Sequence, residues 1–242
     1  MTRFFVSPDR IDGKDVIFDA NDSHHIHTVL KMRAGDKCIV LDGAGRACES
    51  VLVDVAKGRV TARVQRDTKP QTEPSVHIDV AQALPKTLDR LEQVLQHGTE
   101  IGVGGFIIFS CERSRPEAEK FDKKLPRWRE IVKTAAEQSE RAKLPTVEGI
   151  IPLSDVLKLA SDYDLALFAY EREEIVTLRS KLEGSDAKRI LIVIGPEGGF
   201  SDGEVANARA AGQPTVTLGP RILRTETAAL MMVSQIIYSL GG

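Results

Sequence analysis

Residues 189–204, RILIVIGPEGGFSDGE, restrict what this 242-residue chain can fold into more than any other stretch. Leu191 to Ile194 follow one another with no polar break, so neither face of that segment suits water. Such a strand belongs inside a sheet covered on both sides, which for a parallel sheet means helices on both faces. The run ends at Gly195, Pro196, Glu197, Gly198 and Gly199, and Ser201 followed by acidic residues then reads as a helix start. Glycine lets a main chain bend freely and approach another group closely, so a strand that ends in three glycines makes a tight turn, a ligand contact, or both.

The surrounding sequence continues this strand and helix alternation. VHIDVAQAL, GFIIFS, TVEGII, DLALFAY and PTVTLG are further strand candidates. Amphipathic segments lie between them, among them Leu88, Leu91, Val94 and Leu95 at helical spacing after Pro85. The pattern predicts a mostly parallel α/β sheet. Residues 1–70 have a different texture. Short runs such as RFFV, DVIFD, KCIVLDG and RVTARVQRD are separated by Asp12-Gly13, Asp42-Gly43 and Lys57-Gly58, which predicts a small β-barrel. The exception is DSHHIHTVLKM, a helix candidate that Asp22 or Ser23 can cap. The Pro-containing stretch TKPQTEPS leads into the second half, with 71–75 as the linker and 76–242 as the larger domain. In that domain the last helix, expected to be capped by Thr225, is apolar around most of its circumference, so it needs a cover from the sheet or from a second copy of the chain.

Composition excludes several classes. No stretch approaches the roughly 20 apolar residues of a membrane span, and MTRFFVSPDR has no signal-peptide core, so a cytoplasmic location is expected. Cys38, Cys48 and Cys111 lack metal or disulfide spacing, and His24, His25 and His27 have no fourth ligand nearby, so no metal is expected. Net charge is −2, but residues 1–70 carry 12 Lys and Arg against 10 Asp and Glu.

Ligands of open α/β sheets sit at the carboxyl ends of the strands, where Gly195–Gly199 and a second loop, LGPRILRTETA, both fall. The first contains no G-x-x-x-x-G-K-[ST], and Glu197 opposes an anion. The nearest dinucleotide pattern, Gly102 to Ile107, has Ile in place of the last glycine. A ligand without phosphate, and one able to carry positive charge, fits better: backbone groups can read an adenine edge, and a carboxylate can accept from ribose hydroxyls or balance a sulfonium. S-adenosylmethionine combines these features. The alternative is a plain βα turn.

IGPEGGFSDGE and LGPRILRTETA, preceded in order by HHIHTVLKMRAGD, AQALPK, CERSR and AAEQSERAKLP, resemble the RsmE family of 16S ribosomal RNA uridine-N3 methyltransferases, of the SPOUT superfamily. The resemblance spans essentially the whole chain. It implies a SPOUT-type sheet with a C-terminal trefoil knot after a PUA-like barrel, a homodimer, S-adenosylmethionine as cofactor, and the small ribosomal subunit's 16S rRNA as partner. It also implies three cofactor loops: Ala169 and Tyr170; Ile194, Gly195, Glu197, Gly198 and Gly199; and Leu218, Gly219, Arg221, Ile222 and Leu223.

Methylation at uracil N3 requires removal of the ring proton and a cation or N–H donor for charge developing on the carbonyl oxygens. Arg224 is the candidate cation, and Glu197 or Glu226 the proton acceptor. For Glu226 the structural alternative is a first-turn acid favoured by the helix dipole and paired with Arg224. Candidate RNA contacts are Arg3, Lys31 and Arg33 in the first half and Lys86, Arg113, Arg115, Gln138 and Arg141 in the second. For each of these the ordinary alternative is a solvated surface residue. The competing class of function is a non-catalytic RNA-binding assembly factor, which would be expected to have lost the cofactor loops.

Overall fold

A computed structural model describes residues 1–114, 121 and 123–241. The chain divides into two compact units, Met1–Glu73 with Ala136–Leu144, and Pro74–Ala135 with Pro145–Gly242.

In the first unit β1 (Arg3–Phe5), β4 (Lys37–Leu41), β5 (Ala47–Ala56), β6 (Arg59–Thr68), β3 (Asp15–Ile17) and β2 (Ile11–Asp12) form one six-stranded sheet in that order. The three Gly-containing turns foreseen in the sequence close its hairpins: Asp12 pairs with Asp15, Leu41 with Ala47, and Ala56 with Arg59. Asp42 secures the middle one by accepting from the amides of Ala44 and Arg46. Phe4, Val16, Phe18, Ile26, Cys38, Val40 and Val60 form the core. Burial pushes the Cys38 thiol up to about 12, so it stays a neutral packing group.

The expected helix is shorter than its periodicity suggests. It covers α1 (Ala20–His24) and continues as a wider π-type turn over His25–Val29. Its cap is Asp19, whose carboxylate accepts from the amide of Asp22, rather than Asp22 or Ser23. Ser23 is buried and accepts from the Val60 amide.

The second unit holds an all-parallel sheet in the order β12 (Thr215–Val216), β10 (Leu165–Ala169), β11 (Arg189–Ile194), β7 (His77–Ala83), β8 (Gly105–Ser110), β9 (Thr146–Pro152). The chain builds outward from β7 through β8 to β9, then returns to place β11 on the other side of β7. The order therefore reverses beside β7, and this is where a cleft opens at the carboxyl ends of such sheets. β11 is buried from Ile190 onward, as its unbroken apolar run requires. The helices are α2 (Leu88–Ile101), α3 (Leu125–Gln138), α4 (Leu153–Leu159), α5 (Leu178–Leu182), α6 (Asp202–Ala210) and α7 (Thr225–Ile236).

α2 buries Leu91, Val94 and Leu95, and it packs against α7, which buries Ala229, Met232, Val233 and Ile236 and also covers β11 and β7. The sheet and α2 are thus part of the cover that the apolar last helix needed. Its N-cap is Arg224, not Thr225. The Ser201 start holds: Ser201 accepts from the Glu204 amide, and Glu204 accepts in return from the Ser201 amide. Among the described residues no helix is long and apolar enough to cross a membrane, and no group of three or more His, Cys, Asp or Glu could hold a metal ion.

Candidate active site

A cleft of about 920 Å³ opens over the carboxyl ends of β10, β11 and β12. Three loops enclose it. Ala169, Tyr170, Glu171, Glu173 and Glu174 form one side, Ile194 to Phe200 the second, and Val216 to Thr225 the third. Every residue expected to touch the cofactor lies in this lining.

The second loop is set by contacts that leave no room for side chains. A Cβ on Gly195 would come within 3.0 Å of the Phe200 ring, itself buried against Phe168 with ring centroids 4.1 Å apart. Gly199 has φ +66, and a Cβ there would fall 2.5 Å from a Glu171 carboxylate oxygen. The left-handed φ is what calls for glycine at 199, since the exposed Glu171 carboxylate can swing aside. Arg113 follows β8 and donates to the carbonyls of Gly198 (2.9 Å) and Phe200 (3.2 Å). Expected on RNA, it also braces the loop. Glu197 accepts from the Lys86 amide with both oxygens, at 3.2 and 3.0 Å, which joins the loop to the end of β7.

Glu173 ties the first loop to the sheet. One of its oxygens accepts from the amides of Ile175 and Val176, and the other from the Thr215 hydroxyl (2.5 Å) and the Arg209 guanidinium (2.9 Å). The Thr215 bond, followed by those from the amides and Arg209, lowers the Glu173 carboxyl from an ordinary 4.5 to about 2. Thr217 bonds to Val176 and Leu178 through its backbone, so the first and third loops run side by side.

Sequence reasoning missed Arg90 on α2. Its guanidinium lines the cleft 3.6 Å from Glu197 and 3.9 Å from Glu226. Glu226 therefore faces Arg90, not Arg224, and lies outside the lining, with one oxygen buried and without a hydrogen-bond partner among the described residues. Arg221 and Arg224 are both exposed in the third loop, and neither is paired with a carboxylate among the described residues.

The remaining expected RNA contacts scatter. Lys31 and Arg33 line a separate hollow of about 410 Å³ with His27 and Asp54 in the first unit. Arg3 is paired with Glu140 at 2.7 Å. Gln138 and Lys86 are exposed. Arg141 is only 3% exposed, with its guanidinium 2.7 Å from Glu73, which also accepts from the amides of Ala142 and Lys143. A buried, paired guanidinium cannot reach a phosphate backbone, so Arg141 leaves the RNA set. Arg115 lies outside the described residues.

Comparison with known proteins agrees with this geometry. Residues 72–237 match the RNA methyltransferase domain family, and residues 18–65 the RNA methyltransferase PUA domain family. The ribosomal RNA small subunit methyltransferase E of Bacillus subtilis is 38% identical over 224 residues, covering 89% of this chain and 86% of that protein. The chain belongs to the ribosomal RNA small subunit methyltransferase E family. The Mycobacterium tuberculosis member is 33% identical over 242 residues, covering 96% of this chain and 90% of its own length. The crystal structure of the Neisseria gonorrhoeae member, bound to S-adenosylmethionine, superposes with a TM-score of 0.89 at 32% identity, covering 100% of this chain and 98% of that one.

Proposed function

We propose that the 920 Å³ cleft binds S-adenosylmethionine and that the protein methylates N3 of one uridine in the 16S rRNA of the small ribosomal subunit. The observation that carries this reading is the convergence of all three loops expected to hold the cofactor on one cleft, in a chain of this family.

The residues present fit the cofactor. Gly195 and Gly199 let the loop backbone approach its neighbours closely, backbone groups line the cleft, and Glu171, Glu174 and Glu197 suit a cationic sulfonium while opposing a phosphate. When bound, the cofactor supplies a methyl group carried on sulfur. The chain's own residues do the rest. Glu197, on the cleft wall, accepts the N3 proton directly or through one water. The charge then left on O2 and O4 of the ring is held by Arg224, whose guanidinium is paired with no carboxylate among the described residues. Glu226 does not reach the lining and acts through Arg90, holding it against Glu197. Closure of the loops over the ring excludes water and strengthens these interactions.

The rest of the assignment has more distributed support. Residues 1–70, joined through 71–75 to 76–242, hold RNA through Lys31 and Arg33, with Lys86 contributing beside the cleft. The side-by-side course of 176–178 and 217, ahead of α7, fits the family's trefoil threading. A homodimer is supported by exposed Ile175 and Tyr238, and the cytoplasm is where such a substrate is found.

Calorimetry with S-adenosylmethionine is the first test. The second incubates the purified protein with labelled cofactor and small subunits lacking the modification, then maps the product by mass spectrometry. Binding together with one N3-methyluridine is expected. An unmodified subunit, or a methyl group on another atom, refutes the assignment.

A further inference from the structure

Gln82, near the end of β7, is 0% exposed and pairs in register with Ile194 of β11. Its Nε2 donates to the Thr225 hydroxyl oxygen at 2.9 Å and to the Ala83 carbonyl at 3.2 Å. The Thr225 hydroxyl in turn donates to the Gly195 carbonyl at 2.6 Å. Counting protons fixes the direction of this relay. Threonine has one hydroxyl proton, and Gly195 takes it, so Thr225 offers Gln82 only lone pairs. The amide must therefore present its NH₂ group, and its carbonyl oxygen is left buried without a partner among the described residues.

An unpartnered buried acceptor is destabilising, and an apolar side chain of similar volume would avoid it. The arrangement thus works against stability at the point where it joins three elements. Two of its members, Gly195 and Thr225, line the cleft, and Thr225 directly follows Arg224.

We propose that Gln82 is a positioning residue: through Thr225 it locks the Gly195 carbonyl and the first turn of α7 into one unit, so that the 195–199 loop and Arg224 face the cofactor in a fixed relation. The inference rests on the reading of the cleft as the S-adenosylmethionine site. Neither end of the relay moves alone, since releasing the amide frees the Thr225 hydroxyl to rotate away from Gly195.

The test uses Gln82→Met, Thr225→Val, their double variant and Thr225→Ser in the full chain, with calorimetric cofactor binding and amide hydrogen exchange of the free protein. Gln82→Met and Thr225→Val are each expected to weaken cofactor binding about tenfold, equivalent to about 1.4 kcal/mol. The double variant loses no more than either alone, because one relay is broken once. Thr225→Ser keeps the hydroxyl and binds nearly as the parent does. In the free protein, exchange at 195–200 and at 225–228 accelerates together in Gln82→Met, while its melting temperature does not fall, because the unpartnered oxygen is gone.

Unchanged binding and exchange in Gln82→Met overturns the proposal, as does additive loss in the double variant. If Gln82→Met does not fold, the threonine pair decides: equal losses in the valine and serine variants overturn it. A parent protein that binds no S-adenosylmethionine refutes the reading of the cleft, and paired acceleration of exchange would still show the relay.

Discussion

The parallel sheet carries glycines at both of its ends, and close neighbours fill the room they leave at each, but the carboxyl end also opens on a cleft. At the amino ends, a Cβ on Gly104 would fall 2.3 Å from the His77 ring, and one on Gly105 would fall 2.6 Å from both Asp79 and Thr146. The vacated space is filled from within: His77 pairs with Asp79 at 2.9 Å, and Tyr163 donates to Asp79 at 2.7 Å under the Arg189 guanidinium. Burial, followed by the Asp79 bond, pushes the Tyr163 hydroxyl well above its ordinary range, so it remains a donor. At the carboxyl ends, Gly195 and Gly199 border a cleft whose far wall carries Arg221 and Arg224, paired with no carboxylate among the described residues. Glycine at a strand end thus signals close approach but does not say of what. Whether the neighbours bond to one another or face an opening separates packing from binding.

Three substitutions sharpen that contrast. Arg224→Ala, on the open side, should lower kcat about 100-fold, the usual loss when one donor to a developing oxyanion is removed. Cofactor affinity and melting temperature should not change, and steady-state kinetics with unchanged kcat would take Arg224 out of the chemistry. Gly105→Ala, on the filled side, should cost about 2 kcal/mol of stability through overpacking against Asp79 and Thr146. Its cofactor affinity should be that of the parent in urea-free buffer, and a weakened affinity would erase the distinction between the two ends. Gly199→Ala should do the reverse. Left-handed φ costs a side chain roughly 1–2 kcal/mol, the loop relaxes to avoid it, and cofactor binding should weaken about tenfold with a small change in urea midpoint.

How much of this was legible follows the same division. β11 and β8 were readable because their apolar runs have no polar break, and the three loops followed from where those strands stop. Arg90 was not readable: on an amphipathic helix one arginine resembles any other until α2 is packed beside the 195–199 loop. Gln82 did leave a trace, as the one polar residue late in the otherwise apolar run VAQAL, but a buried amide acquires meaning only with its partner, which lies 143 positions away. Arg141 was misread because its exposure depends on Glu73, far off in sequence, and for the same reason 136–144 could not be assigned to the first unit. The Asp19 cap was missed among several acceptable neighbours, since extended backbone at that residue, not side-chain type, selects it.

The smallest expected effect concerns Glu173, a carboxylate of the open end with bonds to both of its oxygens. Glu173 is held at about 2, below its ordinary 4.5, because the folded chain stabilises its charged form. A carboxyl lowered on folding contributes stability that is fully present above the unfolded value and is lost as pH falls through the folded one. The contribution should therefore be intact at pH 7, decline below about pH 4.5 and be gone near pH 2. It should be confined to the loop that Glu173 ties to Thr215 and Arg209. Amide exchange of residues 171–177 in the parent should rise across that window relative to the sheet, while Glu173→Gln, which has no charge to lose, should show faster exchange at pH 7 and little further rise. Parallel pH profiles for the two proteins would mean that the rim is held by its backbone bonds to Thr217, and that the open end of the sheet owes its shape to main chain on both sides of the cleft.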